Sequence, residues 1–157
     1  MGLTADICDE HKDNVVLANP IFHHYGNTTT FSGPVQTVQV FEDNVLVKQA
    51  LETIPEGSVL VIDGGASRRY ALMGDNLAAI AQKRNLAGVI IHGSIRDAGE
   101  INKMPVGIFA LGTTPFPSIK NGEGKRGTSL RFANTTWEPG SWVYADEDGI
   151  LVAEKEL

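Results

Sequence analysis

The chain has 157 residues and carries 13 Lys+Arg against 19 Asp+Glu, for a formal charge of −6. That length suits one domain with its own core, and 42% apolar with 20% charged residues argues against intrinsic disorder. The acidic balance disfavours direct nucleic-acid binding, which needs Lys and Arg for phosphate contacts, and the single cysteine, Cys8, excludes an intrachain disulfide or a multi-cysteine zinc site.

The N-terminus, Met1 to Glu10, lacks the positive start and apolar run of a secretory leader. No stretch approaches the ~20 apolar residues of a membrane span. The expected location is the cytoplasm, with no membrane partner, and the triplets Asn27-Thr28-Thr29 and Asn134-Thr135-Thr136 read as chance glycosylation matches.

In chain order, a short helix is expected after Thr4 as N-cap, ending near His11. Val35 to Phe41 is rich in β-branched residues, with Val38 and Val40 on one face, and predicts a strand. Leu46, Val47, Ala50, Leu51 and Ile54 recur at helical spacing up to Pro55. Ser58 to Ile62 and Gly88 to His92 are short apolar runs, which read as buried strands. Asp75 to Arg84 carries Leu77, Ile80 and Ala81 on one helical stripe. Asp97 to Lys103 reads as a short helix and Val106 to Leu111 as a further strand. This strand–helix–strand–helix–strand series predicts a parallel sheet with right-handed crossovers. Segments 130–132, 141–144 and 149–153 predict strands joined by turns at Pro139-Gly140 and Asp148-Gly149, in antiparallel or mixed sheet. The expectation is one compact α/β domain spanning 1–157, a parallel unit with additional β structure.

Ligands of an open parallel sheet bind beyond the carboxyl ends of its strands. That rule selects the loops 63–67, 93–97 and 112–115, whose glycines at 64–65, 93 and 112 allow close backbone approach. Gly74-Asp75-Asn76-Leu77 then opens a helix, whose first turn has free N–H groups and partial positive charge for a carboxylate. Arg96 offers a planar fork for a carboxylate. Asp97 offers hard oxygens for Mg²⁺ or Mn²⁺, and Mg²⁺ needs only one or two protein carboxylates. Taken singly, Asp75 reads as a helix cap and Arg96-Asp97 as a surface pair. Together they suit an α-keto acid: the helix N-terminus and Arg96 clamp its carboxylate while a cation on Asp97 polarises the keto oxygen and stabilises a pyruvate enolate. A metal-bound water, or one held by Asp75, is a candidate for moving the proton, and the sequence leaves the base open between them.

At these residues the chain resembles the family of the regulator of ribonuclease activity A and the metal-dependent 4-hydroxy-4-methyl-2-oxoglutarate aldolases. The shared segments include Phe41-Glu42-Asp43-Asn44, Val61 to Gly65, Arg68 to Leu72, Gly74 to Ala78, Gly93 to Asp97 and Tyr144 to Ile150. The aldolases carry Asp, twenty residues, then Arg-Asp, and Asp75 and Arg96-Asp97 have that spacing. The resemblance implies that the 74–77 backbone and Arg96 bind the pyruvoyl carboxylate and that Asp97 binds a divalent metal. It also implies a β/β/α swivelling-type fold, oxaloacetate decarboxylase activity, and a homotrimer or dimer of trimers. Regulators in the family bind ribonuclease E, and some lack the Asp after the Arg. Retention of Asp97 favours a lyase. Longer aldolases add a carboxylate from a C-terminal extension, and this chain ends at Leu157.

Other motifs carry weaker chemistry. Gly122 to Gly127 spells G-x-G-x-x-G but does not link a strand to a helix, so it reads as a mobile basic loop, with a lid or interface loop as the alternative. His23-His24 point to opposite faces of an extended chain, which suits a surface role. His92 reads as a hydrogen-bonded structural histidine, Cys8 as an incidental thiol, and Trp137 and Trp142 as packing for the terminal β structure. No lysine sits in a buried strand, which favours a metal route over a lysine imine.

Overall fold

The computed structural model describes residues 2–157. Helix α1 (Leu3–His11) is followed by a 3₁₀ turn (Lys12–Asn14) and the short strands β1 (Val15–Leu17) and β2 (His23–Tyr25). β3 (Phe31–Gln39), α2 (Val45–Thr53), β4 (Val59–Asp63), β5 (Ala71–Met73), α3 (Asp75–Lys83), β6 (Gly88–Ile95), α4 (Ala98–Ile101) and β7 (Ile108–Thr113) form the centre. β8 (Lys125–Arg126), β9 (Leu130–Phe132), β10 (Thr135–Trp137), β11 (Trp142–Asp146) and β12 (Gly149–Ala153) complete the chain.

The expected parallel unit is present. β3, β4, β6 and β7 are neighbours and run parallel. The terminal strands are antiparallel: β11 pairs with β12 and with the first half of β3, and β12 pairs with β1. β3 therefore belongs to both halves. Phe31–Pro34 pair with β11 and Val35–Gln39 with β4, so the partner changes at Pro34–Val35. The resulting mixed sheet runs β1-β12-β11-β3-β4-β6-β7-β2, with β5 added to β6 and β8 to β3.

Alternation along the central strands sorts the core into two layers. Leu60 and Ile62 of β4 join Ile91 of β6 against Val47, Ala50 and Leu51 of α2 and Leu77, Ala78 and Ala81 of α3. Val59, Val61 and Ile90 point the other way, onto Phe31, Phe109, Phe132, Trp137 and Val143. Burial on both faces explains why these strands read as unbroken apolar runs. A smaller cluster of Ile7, Tyr144, Leu151 and Ala153 lies under α1.

Several local expectations are corrected. Gly2, not Thr4, is the N-cap of α1. Thr4 lies in the first turn and is tied to the buried Asp146, which accepts its N–H at 2.9 Å and its hydroxyl at 2.7 Å. Gly93-Ser94-Ile95 is strand rather than loop, because β6 runs on to Ile95 beside β5. Gly112-Thr113 likewise belong to β7. The helix after Arg96 covers only Ala98–Ile101. β2, β5, β8 and β10 are too short for alternation to reveal them. Among the described residues no helix is long and apolar enough to cross a membrane.

Candidate active site

The cleft begins with β5. Its three residues pair in parallel with the end of β6, Ala71 beside Ser94 and Met73 beside Ile95. Both chains therefore leave the sheet side by side, and the Arg96 N–H donates to the Met73 carbonyl at 2.9 Å. Gly74 follows β5 and caps α3, while Arg96-Asp97 follows β6 and leads into α4. Residues distant in sequence are thus placed together by one strand pair.

Gly74, Asp75, Asn76, Leu77, Arg96 and Asp97 all line one cleft of about 520 Å³. The carboxylate of Asp97 turns to α3: its Oδ2 accepts the Asp75 N–H at 3.2 Å. Asp97 is also the N-cap residue of α4, in the left-handed region at φ +59°, but its side chain makes no cap hydrogen bond there. The Asp97 carboxylate thus faces the start of the neighbouring helix rather than its own. The first helical bond of α3 runs from the Ala78 N–H to the Gly74 carbonyl, so the N–H groups of Asn76 and Leu77 have no acceptor within the helix. Gly74 is required for this approach. A Cβ there would lie 2.7 Å from Asp97 Oδ2 and 3.3 Å from Arg96 Cγ.

The opposite wall is not visible as a site in the sequence. α2 contributes Asn44 (just before it), Val45, Lys48, Gln49 and Glu52, and a strap after β7 contributes Pro117, Ser118 and Lys120. Ser118 is fastened by its hydroxyl, which donates to the Ala71 carbonyl at 2.6 Å. Lys48 and Lys120 are exposed cations that line the same cleft as Arg96, with Glu52 the carboxylate on their side, and Lys120 Nζ donates to the Ser118 carbonyl at 3.3 Å. The segment Phe41-Glu42-Asp43-Asn44, adjoining both walls, is the one pointer to this half that the sequence offers.

The remaining glycine loops have other work. Gly65 lines a separate cleft of about 430 Å³ with Phe41, Asp63 and Lys125. A Cβ on Gly64 would meet Leu72 Cδ1 at 2.5 Å, and one on Gly112 would run into the Arg68 guanidinium. Gly93 packs beside Leu72 and Gly64. These glycines serve packing or a second cleft, so of the loop glycines only Gly74 faces Arg96-Asp97. His92 has the structural role expected of it: Nδ1 lies 3.3 Å from Asp63 Oδ1 and the ring stacks on Phe132 at 4.6 Å. Burial raises the Asp63 pKa, but the contacts from His92 and the Gly65 N–H outweigh it, and the carboxyl titrates below its usual range. His24 Nε2 is 2.8 Å from the Thr28 carbonyl, and its neighbour His23 is exposed. The G-x-G-x-x-G loop is exposed and leads into β9 through the two-residue β8, which runs antiparallel to β3. It lacks the strand-to-helix turn of a dinucleotide site.

The family model described as RraA-like, aldolase/RraA, matches residues 4–152. The chain belongs to this family. A Bacillus cereus protein named "Putative 4-hydroxy-4-methyl-2-oxoglutarate aldolase" is 49% identical over 157 residues, covering 100% of this chain and 99% of the relative. Among solved structures, the RNA-processing inhibitor RraA from Thermus thermophilis has a TM-score of 0.95 at 39% identity, covering 100% of this chain and 95% of that one. A Geobacillus kaustophilus protein titled as an S-adenosylmethionine: 2-dimethylmenaquinone methyltransferase has a TM-score of 0.97 at 56% identity, covering 100% and 97%. Family names thus span a lyase, a regulator and a transferase on one fold, and activity has to be argued from the cleft.

Among the described residues no group of three or more His, Cys, Asp or Glu side chains converges to cage a metal. Asp97 is exposed on the cleft. A single carboxylate with room for water and substrate oxygens fits the coordination habit of Mg²⁺.

Proposed function

We propose that the protein is a divalent-metal-dependent carbon–carbon lyase that releases pyruvate from 4-hydroxy-4-methyl-2-oxoglutarate-type aldols and decarboxylates oxaloacetate. The observation that carries this reading is the meeting of Asp97, Arg96 and the first turn of α3 on one cleft. Asn76 and Leu77 N–H groups, with the Arg96 guanidinium, hold the pyruvoyl carboxylate. Asp97 holds Mg²⁺ or Mn²⁺, which supplies Lewis acidity at the adjacent keto oxygen. Lys48 and Lys120 give the far wall positive charge for the substrate's second carboxylate.

In the aldol reaction the bond between C3 and C4 breaks and its electron pair passes into the enolate of the pyruvoyl half. The C4 hydroxyl loses its proton and becomes the carbonyl of the second product. We assign the proton transfers to Asp75, which is half-buried and lines the cleft: it takes that proton and returns one to C3. With oxaloacetate, carbon dioxide leaves instead and only the proton return is needed. Arg96 and the helix N–H groups stabilise the negative charge that persists through both routes.

The test is pyruvate release from both acids with Mg²⁺ or Mn²⁺, and its loss with a chelator. Asp97→Ala and Arg96→Ala should each abolish most turnover. Metal-loaded protein inert toward both acids would refute the lyase reading, and wild-type rates in either variant would refute the site. The assembly proposed with it is a homotrimer or dimer of trimers, which sedimentation measures directly.

A second reading rests on the likeness to the Thermus RNA-processing inhibitor and on the charge of −6, which suits docking onto a basic protein segment. In it the protein binds ribonuclease E and slows RNA cleavage. An RNA-cleavage assay at micromolar protein decides it, and it is compatible with catalysis, because a surface patch and a cleft need not overlap.

A further inference from the structure

We propose that the corner Glu42-Asp43-Asn44 is the positioning device of the cleft, with Asp43 fixing the strap that carries Ser118 and Lys120 against the substrate's far end. The use made of the strap rests on the lyase reading. The fastening itself is independent of it.

Asp43 is 3% exposed and does not line the cleft. Its Oδ1 accepts the Val45 N–H at 3.1 Å, which starts α2. Its Oδ2 accepts the N–H groups of Asn121 and Glu123 at 2.9 and 3.2 Å, from a segment 78 and 80 residues away. One buried carboxylate thus fixes the two elements that form the far wall. The neighbours extend the same clamp. The Glu42 carbonyl accepts the Ile119 N–H at 2.8 Å, and Asn44 Nδ2 donates to the Leu72 carbonyl at 3.2 Å, two residues before Gly74.

The corner is held in a costly shape. Glu42 is a non-glycine residue at φ +59°, a conformation that persists only where surroundings impose it. Its carboxylate receives Arg69 through both oxygens, at 3.1 and 2.9 Å, and the Ser67 hydroxyl at 2.6 Å. A segment whose only task was to connect β3 to α2 would not need three side chains reaching three separate parts of the chain. Two of those contacts bear on the cleft: Leu72 comes two residues before Gly74, and the 121–123 segment continues the strap that carries Ser118 and Lys120.

Asp43→Asn keeps the shape but presents an NH₂ group to backbone donors, so one side of the clamp must open. Amide hydrogen exchange should speed up on the order of tenfold or more at whichever side the NH₂ group faces, Asn121 and Glu123 or Val45, since charge-assisted hydrogen bonds are lost. KM for the oxo acid should rise on the order of tenfold while kcat stays within about twofold, because the groups at the breaking bond are untouched. Asn121→Pro, at an exposed position, removes one of the two donors to Asp43 Oδ2 and leaves the carboxylate in place, so it should raise KM while lowering Tm less than Asp43→Asn does, which keeps the test decisive if Asp43→Asn folds poorly. Unchanged exchange at all three amides, Val45, Asn121 and Glu123, overturns the proposal. So does a kcat that falls with the folded fraction at constant KM, which is what a merely structural residue gives. If wild-type protein turns over no oxo acid, the lyase reading falls and the strap is judged by exchange alone.

Discussion

Replacing Gly74 with alanine separates the geometry of the cleft from the stability of the fold. The backbone there is extended, at φ −122° and ψ −165°, which alanine adopts without strain. The added Cβ, however, would sit 2.7 Å from Asp97 Oδ2. Relief requires the carboxylate to retreat by roughly 0.5 Å, the tolerance of a productive constellation, and it breaks the bond from the Asp75 N–H. Because the obstructing atom ends a side chain, the fold yields cheaply. The loss of glycine at an N-cap costs about 0.5–1 kcal/mol, a Tm decrease of about 1–4 °C. Misplacement of the acid that holds the cation costs more, on the order of 10- to 100-fold in kcat/KM, or about 1.4–2.7 kcal/mol of transition-state stabilisation. The assay is pyruvate release from oxaloacetate at saturating Mg²⁺, paired with a thermal melt. Wild-type kcat/KM, or a loss that matches the unfolded fraction, would refute the assignment of Asp97.

Other outcomes follow from the same structure. Asp146 is 6% exposed; burial raises its pKa, but hydrogen bonds from Thr4 and the Asp148 N–H outweigh this and hold it below the usual range. Burial likewise raises Asp43, and the backbone N–H groups around it more than reverse that, while Glu42 is lowered chiefly by its bond from Arg69. A lowered folded pKa gives stability that is present above the unfolded value, near 4, and lost as pH falls through the folded one. Melts should therefore lose Tm below about pH 4, and Asp146→Asn should flatten that slope while costing about 2–3 kcal/mol at neutral pH. Trp137 is fully buried and stacks on Phe132 at 4.9 Å, so Trp137→Ala should cost about 3–5 kcal/mol in denaturant titrations. Arg96→Lys keeps charge but not the planar fork, and should raise KM for pyruvoyl substrates by roughly tenfold or more.

What the sequence discloses and what it hides have physical causes. The parallel strands declare themselves because both faces are buried, so Val59–Ile62 and Val89–Ile91 are continuously apolar. α2 and α3 show stripes because only one face of each is buried, Val47, Ala50 and Leu51 in α2 and Leu77, Ala78 and Ala81 in α3. β5 is hidden because Ala71–Met73 is too short to show a period, yet it is the element that brings Gly74 beside Arg96-Asp97. The near half of the cleft is legible because it lies on two chain segments with recognisable chemistry: glycine at a helix start, and Arg-Asp at a strand end. The far half is not, because Lys48 and Lys120 are exposed lysines with nothing local to distinguish them. They come to one wall through long-range contacts that no spacing rule contains: Ser118 to Ala71, Ile119 to Glu42, and Asn121 and Glu123 to Asp43. The glycine loops show the converse error. A small residue at a strand end permits a ligand or a neighbouring side chain equally, and at Gly64 and Gly112 Leu72 and Arg68 already occupy the space. Gly74 differs only in what fills the place its Cβ would take: the carboxylate of Asp97. A glycine kept clear for a functional group and one kept clear for packing make opposite predictions on substitution. Gly74→Ala should impair turnover ahead of stability and Gly64→Ala stability ahead of turnover, so measuring both in one series tells the two kinds apart.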